Sequence, residues 1–178
     1  MDSISHKFRL TVVFFNFNYK LENKKLISSI ITSDDERIMT ISGTYAENGQ
    51  IGASGTYFIR YDYIKKEVID NGLNKFDSDF ITKDWSEKLK KKEEKAKGSE
   101  ATLENYELRN IEVLKDGSII KTMEQYYFTS YTYQSYNGQS GTTYTHYIND
   151  IIAYKISALG KLDWLVRIDK NQIDLYYS

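Results

Sequence analysis

The side chains best suited to recognition chemistry in this sequence are tyrosines, which supply 16 of its 178 residues. Half of them fall between residues 126 and 154, interleaved with Thr, Ser, Gln and Asn. Tyrosine offers a large rigid face and a hydroxyl that stays satisfied in water, which suits contacts with sugars, peptides or proteins. Cross-strand ladders that stabilise a long hairpin are the alternative, and the two can coexist. We expect the binding surface at Tyr127, Tyr131, Tyr133, Tyr136, Tyr144 and Tyr147.

Catalytic and metal chemistry find little support in the residue types. The chain has no cysteine, which excludes thiol nucleophiles, thiolate zinc sites, iron–sulfur clusters and disulfides. Its two histidines are His6, in a terminal segment, and His146, near Asn149 and Asp150. A metal centre needs three or four ligands, so His146 is interpreted as an exposed or cross-strand side chain. The sequence predicts no catalytic residue, no metal site and no cofactor.

Three short polar motifs are interpreted as structural rather than functional. Asp34-Asp35-Glu36 is interpreted as a hairpin turn and Asp77-Ser78-Asp79 as a helix cap, because neither continues as a calcium-binding loop. Ser54 lies in Gly52-Ala53-Ser54-Gly55, which lacks the spacing of a serine-hydrolase elbow and is read as a flexible hairpin loop.

Charge gives no general reason to bind nucleic acid or an anionic membrane, since 24 basic side chains face 25 acidic ones. The basic cluster from Lys88 to Lys97 contains Glu93 and Glu94 and is interpreted as a solvated helix face. The longest apolar run, Leu10 to Phe15, is too short to cross a bilayer and lacks the features of a signal peptide. We expect no nucleic-acid partner and no transmembrane segment.

The elements that must position the tyrosines are strands. Alternating apolar and polar residues, rich in β-branched and aromatic types, predict strands over 8–18, 26–32, 38–45, 56–63, 67–70, 108–114, 118–131, 144–157 and 162–169. Residues 79–98 depart from this pattern, with the composition of a helix capped by Ser78 or Asp79 and ended by Gly98. Phe80, Ile81, Trp85 and Leu89 recur at helical spacing and are expected to dock this helix on the sheet.

An internal repeat organises these strands. Ile27 to Tyr45 aligns with Leu108 to Tyr126 at a constant offset. Both copies then contain the same loop motif, NGQxG, as Asn48-Gly49-Gln50-Ile51-Gly52 and Asn137-Gly138-Gln139-Ser140-Gly141. Each copy then reads as a four-strand meander, which is typical of β-propeller blades. The predicted fold is all-β, with propeller-like repeats and one inserted helix; a single β-sandwich is the alternative. The predicted organisation is one domain over 1–178, with a partial leading unit at 1–25, repeats at 26–78 and 106–170, and the helical insertion at 79–98.

The residues also resemble a known group of proteins. Gln125-Tyr126-Tyr127, the run from Tyr147 to Ile152, and Leu162-Asp163-Trp164 are similar to motifs of largely uncharacterised bacterial propeller-like repeat proteins, and Arg37 to Asp62 looks like the preceding unit. The resemblance implies exported or envelope-associated proteins without an assigned reaction. This chain departs from that group in being short, about two blades, and in lacking an export leader.

These observations favour a binding or scaffold module without catalysis, which contacts a protein or glycan through its tyrosine-rich hairpin. The alternative is a hydrolase fragment whose site lies between the repeats. Two and a half predicted units would also leave room for self-association or for missing neighbouring repeats.

Overall fold

A computed structural model describes residues 24–33, 37–47, 49–83, 86, 87, 91, 101–134 and 138–177. Those residues form an all-β structure of two four-stranded antiparallel sheets with one short helix. Sheet I contains β1 (Lys25–Ser33), β2 (Ile38–Ala46), β3 (Gly55–Asp62) and β4 (Glu67–Lys75), and the helix α1 (Ser78–Thr82) follows it. Sheet II contains β5 (Tyr106–Val113), β6 (Ile119–Gln134), β7 (Ser140–Ile156) and β8 (Leu162–Tyr177).

Strands adjacent in sequence pair with each other throughout, in the orders β1-β2-β3-β4 and β5-β6-β7-β8. In both NGQxG loops the first glycine lies in the left-handed region, at a φ of 84° for Gly49 and 83° for Gly138. The predicted turn at Lys115 to Gly117 is confirmed, since the Asp116 carboxylate accepts hydrogen bonds from the Ser118 backbone and hydroxyl. Two stacked sheets are compatible with the β-sandwich alternative.

Several predicted boundaries were wrong. β4 runs to Lys75 rather than to residue 70, and β7 begins at Ser140 rather than at residue 144. The last strand does not end at residue 169 but runs to Tyr177, so sheet II keeps three strands far beyond the predicted end. The interpretation of Asp77-Ser78-Asp79 as a helix cap is confirmed, but the capping residue is Asp77 rather than Ser78 or Asp79, because its side chain accepts from the Asp79 amide at 2.7 Å. Ile81 is buried as expected and Phe80 packs against the core. Trp85, Leu89, most of the predicted helix over 79–98 and the leading unit up to residue 23 lie outside the described residues.

The main hydrophobic core lies between the two sheets. Phe58 of sheet I packs there with Ile119 and Met123 of β6 and with Ile152, Tyr154 and Ile156 of β7. Ala53, Phe76, Ile81, Leu103 and Tyr106 close the same cluster at one end. A second, smaller cluster on sheet I joins Ile41, Tyr45, Tyr57 and Ile59. The two faces of β2 and β3 are therefore both buried, whereas sheet II buries mainly one.

The two sheets stack with their corresponding strands in the same direction. Near the start of β3, the Thr56 hydroxyl meets the Tyr154 hydroxyl of β7 at 3.1 Å. Near the end of β3, the Arg60 guanidinium donates to the Ala158 carbonyl just beyond the end of β7, at 3.2 Å. Since the contacts advance together along both strands, β3 and β7 run in parallel. β1 lies beside β5.

A lysine lies inside this interface. Lys121 of β6 is fully buried, and its Nζ donates to Thr56 Oγ1 at 2.8 Å and to the Tyr57 carbonyl at 3.0 Å. The ammonium also lies 5.4 Å from the centroid of the Tyr154 ring. No carboxylate of the described residues pairs with it, so burial lowers the pKa of Lys121 well below its ordinary value.

Candidate functional site

The longest strands of sheet II form an extension beyond the core. The last β5–β6 pair is Tyr106 with Gln125, whereas β6 and β7 continue in register to Gln134 and Ser140. At the usual rise per residue this extension reaches roughly 30 Å past the last β5–β6 pair. β8 accompanies β7 as far as the pair of Thr143 with Tyr177. The tyrosine-rich hairpin predicted from the sequence is therefore part of a three-stranded sheet for most of its length.

The register decides which tyrosines share a face. Tyr127 pairs with Tyr147, and no shift interrupts β6 from Tyr126 to Gln134, so Tyr131 and Tyr133 lie on that same face. Tyr144 pairs with Ser130 and lies on the opposite face. Tyr136 lies outside the described residues. The structure thus brings four of the six predicted residues together on what we call the Tyr127 face, formed by Gln125, Tyr127, Thr129, Tyr131, Tyr133, Thr143, Thr145, Tyr147, Asn149, Asn171, Ile173 and Leu175.

The best-defined part of the Tyr127 face is a stacked tyrosine pair beside a polar cavity. The Tyr127 and Tyr147 rings lie 4.7 Å apart at 13°, a stacked arrangement. Next to them is a cavity of about 450 Å³, lined also by Gln125, Asn149, Asp150, Lys170, Asn171 and Ile173. The cavity combines an aromatic wall with three side-chain amides, which each offer donors and an acceptor.

Charges at the base of this cavity are largely compensated. Asp150 accepts a hydrogen bond from the Lys170 amide at 3.2 Å, and Lys170 Nζ pairs with Glu124 at 2.7 Å. Arg109 reaches the other Glu124 oxygen at 3.1 Å. The hydrogen bond from Lys170, followed by its charge and the contacts of Arg109, lowers the pKa of Glu124 against the opposing effect of burial. The cavity itself therefore presents no strong net charge.

Farther toward the tip, the remaining tyrosines are more open. Tyr131 is 71% exposed and Tyr133 is 45% exposed. The Tyr133 ring covers Gly141 on the neighbouring strand, where an added Cβ would approach the Tyr133 hydroxyl to 2.7 Å. A ring that covers a cross-strand glycine protects the backbone and fixes the strand pairing. Tyr133 therefore stabilises the pairing of the hairpin strands, and both tyrosines also form part of the exposed surface.

The opposite surface, which we call the His146 face, is also aromatic. His146 pairs across the sheet with Phe128 on one side and Asp174 on the other, which confirms its interpretation as a cross-strand side chain. Its Nδ1 shares a hydrogen bond of 2.7 Å with the Tyr126 hydroxyl, and its ring meets Tyr176 edge-on at 4.9 Å and 80°. The His146 face comprises Tyr126, Phe128, Tyr144, His146, Ile148, Gln172, Asp174 and Tyr176.

No family model, no curated protein and no solved structure matches this chain. The resemblance to bacterial propeller-like repeat proteins therefore stays a prediction.

Sequence reasoning missed the β8 side of both faces. Asn171, Ile173, Asp174 and Tyr176 lie beyond the predicted end of the strand at residue 169, yet each lines one of the two surfaces. A signal was present, because Ile173 and Leu175 alternate with Asp174 and Tyr176 at the period of a strand. The polar run from Asp169 to Gln172 interrupts that alternation.

The other candidate chemistries gain no site from the structure. Within the described part of the chain, no three His, Asp or Glu side chains gather as they would around a metal ion. The same residues include no helix with the length and apolar content needed to cross a membrane. Ser54 is buried in the β2–β3 loop and accepts a hydrogen bond from the Glu47 amide. His6, Asp34 to Glu36 and nearly all of Lys88 to Lys97 lie outside the described residues.

Proposed function

We propose that this protein is a non-catalytic binding module that recognises a glycan on the Tyr127 face. The observation that carries the proposal is the stacked pair of Tyr127 and Tyr147 beside the amide-lined cavity. A pyranose ring has an apolar C–H face that packs on an aromatic ring, and hydroxyls that each need a donor and an acceptor. Asn171 supplies both kinds of group. Asn149 donates to Gln125 Oε1 at 3.3 Å and Gln125 donates to the Glu104 carbonyl at 3.3 Å, and each amide keeps a second N–H for a ligand. The balanced charge of the cavity favours a neutral sugar.

The rest of the Tyr127 face extends this proposal from one sugar to a chain of sugars. Tyr131 lies four residues from Tyr127 on the same strand, about 13 Å farther toward the tip. That spacing suits a contact two or three sugar units along an oligosaccharide. Rigid tyrosines lose little side-chain entropy on binding, so exposed rings such as Tyr131 are effective contacts.

The test is binding of the full chain to an array of oligosaccharides of defined composition, followed by calorimetry with the strongest neutral ligand. Tyr147→Val and Asn171→Ala should each weaken binding about tenfold or more, since each removes a central contact. Tyr144→Val is the matched control, because Tyr144 lies on the opposite face. Equal losses in Tyr144→Val and Tyr147→Val, with unchanged thermal melting, would contradict the proposal.

A protein partner on the same face is the second candidate. Ile173 and Leu175 are each 55% exposed beside the tyrosines, and an apolar border of this kind favours a protein contact over a sugar contact. Leu175→Thr separates the two candidates, because Leu175 does not line the cavity. This variant should weaken protein binding and leave the glycan affinity unchanged.

For the scaffold we propose consecutive units of a propeller-like repeat array. The two meanders have the same strand order, β3 and β7 run in parallel, and β1 lies beside β5. Blades of a propeller stack with corresponding strands side by side in this manner. The alternative hydrolase site between repeats has weaker support, because Lys121 and Tyr154, which meet there, are both fully buried.

A further inference from the structure

The His146 face contains a second cavity, which the glycan proposal does not use. It has a volume of about 380 Å³ and is lined by Tyr126, His146, Ile148, Asp174 and Tyr176. These residues come from β6, β7 and β8, so the cavity lies across the three-stranded part of the extension. Alternation along each strand places it on the opposite side of the sheet from Tyr127 and Tyr147.

The rings around this cavity are held in a fixed arrangement. The hydrogen bond between the Tyr126 hydroxyl and His146 Nδ1 joins β6 to β7. Tyr176 of β8 stands at 80° to the His146 ring, so the two rings form a corner. The faces of such rings carry the negative part of their quadrupole and attract cations. Tyr126 already receives one cation of this chain, because the Arg109 guanidinium lies 5.9 Å from its ring centroid on the β5 side.

Charge distinguishes this cavity from the one on the Tyr127 face. Asp174 carries the only formal charge among its five lining residues. The first cavity is lined by one acidic and one basic side chain, Asp150 and Lys170, whose charges are opposite. The Asp174 carboxylate is held by the Gln172 amide at 3.2 Å. Aromatic rings at an angle with one carboxylate beside them are the features that select a bulky organic cation.

We propose that this cavity binds a quaternary or methylated ammonium group. Its methyl groups contact the rings of Tyr126 and Tyr176, and its charge lies next to Asp174. A choline headgroup and a methylated lysine side chain share this chemistry. The cavity is large enough for such a group, although it is near the small end of the range for ligand sites.

The experiment titrates the full chain with choline chloride and follows the ring protons of His146 and Tyr176 by NMR. Sodium chloride is the ionic-strength control, and 3,3-dimethylbutanol is the neutral molecule of the same shape. Choline should give saturable shifts, while the neutral molecule should bind about tenfold more weakly. Equal binding of choline and the neutral molecule, or no saturable shift with choline, would overturn the proposal.

Variants separate this inference from the glycan proposal. Asp174→Asn preserves the shape of the side chain and should weaken choline binding about tenfold, and Tyr176→Leu should do the same. Tyr147→Val, which removes the stacked pair of the Tyr127 face, should leave choline binding unchanged. Unchanged choline affinity in a folded Asp174→Asn protein contradicts the inference, whatever the result of the glycan-binding test on the Tyr127 face.

A second arm identifies the source of the cation. Phosphatidylcholine vesicles are compared with phosphatidylglycerol vesicles, and a trimethyllysine peptide is compared with its unmodified form. Preference for either ammonium-bearing partner, lost in Asp174→Asn, supports the inference. Failure of both, when free choline also fails, excludes it.

Discussion

The two sheets share one topology but divide the work of the molecule between them. Strands of sheet I have eight or nine residues, and both faces of β2 and β3 are buried. β6, β7 and β8 have sixteen or seventeen residues, and their outer halves carry exposed rings. In sheet I the strands are short and the central two are buried, so they stabilise the core. In sheet II the same meander continues past the core, and its outer part is exposed. The comparison indicates that aromatic content alone does not distinguish a core ring from a recognition ring.

Phenylalanines in the two sheets should respond very differently to truncation. Phe58 is 1% exposed and packs in the main core, whereas Phe128 is 57% exposed on the extension. Phe58→Ala should lower the free energy of unfolding by about 3–5 kcal/mol, because a buried ring is replaced by a cavity. Phe128→Ala should cost about 1 kcal/mol or less, since it removes only ring contacts with Tyr144 and His146.

Urea unfolding monitored by circular dichroism measures both changes. Similar losses in the two variants would show that the extension is as closely packed as the core and would remove the distinction drawn above.

Cross-strand glycines sharpen the same contrast. A Cβ on Gly43 of sheet I would lie 1.8 Å from the Ser28 carbonyl oxygen, which belongs to the backbone and cannot swing away. Gly43→Ala should therefore destabilise the protein by about 3 kcal/mol. Gly141→Ala should cost less than about 0.5 kcal/mol, because its Cβ meets only the far end of the flexible Tyr133 side chain.

Thermal melting of the two alanine variants, each compared with the parent protein, provides the measurement. A Gly141→Ala protein that melts as low as Gly43→Ala would mean that the Tyr133 ring is fixed as firmly as the backbone of sheet I.

The buried lysine should give the clearest pH signature. Its folded pKa lies below its unfolded pKa of about 10.4, so between these values the unfolded chain binds the extra proton. Stability contributed at this position therefore falls as the pH falls below about 10.4. Lys121→Met removes that dependence and should stabilise the protein by about 1 kcal/mol near neutral pH. The loss of donors is small, because the Thr56 hydroxyl keeps its bond to the Gly43 carbonyl.

The measurement is the unfolding free energy of Lys121→Met minus that of the parent, as a function of pH. The difference should grow from pH 10 toward neutral pH. Lys161→Met, in the exposed β7–β8 turn, is the control and should give a flat difference. A flat difference for Lys121→Met as well would show that the parent ammonium is not desolvated.

Much of the scaffold was predictable from local pattern, and so was the shared face of Tyr127, Tyr131 and Tyr133 along β6. The pairing of β6 with β7 across the tip was not. Alternation of residue types and the Asp116-Gly117 turn predicted all eight described strands and their order. The side on which Tyr144 lies depends on the pairing across the tip, because a shift of one residue reverses every side chain on that strand. The sequence contains no signal for that register. The burial of Lys121 could not be predicted either, because it depends on contacts with Thr56 and Tyr57 of a strand distant in sequence.

The Phe58 ring has a consequence for the cooperativity of the whole chain. It lies over Gly72 of the neighbouring strand and against Gly160 in the β7–β8 turn, where an added Cβ would approach the ring to 2.6 Å and 2.7 Å respectively. Asn74 binds the same turn through the Gly160 carbonyl and the Leu162 amide. A slip in the pairing of β3 with β4 would therefore also break the contact with the other sheet. Local opening of one sheet thus carries the energetic cost of opening both, and the two meanders should unfold as a single unit.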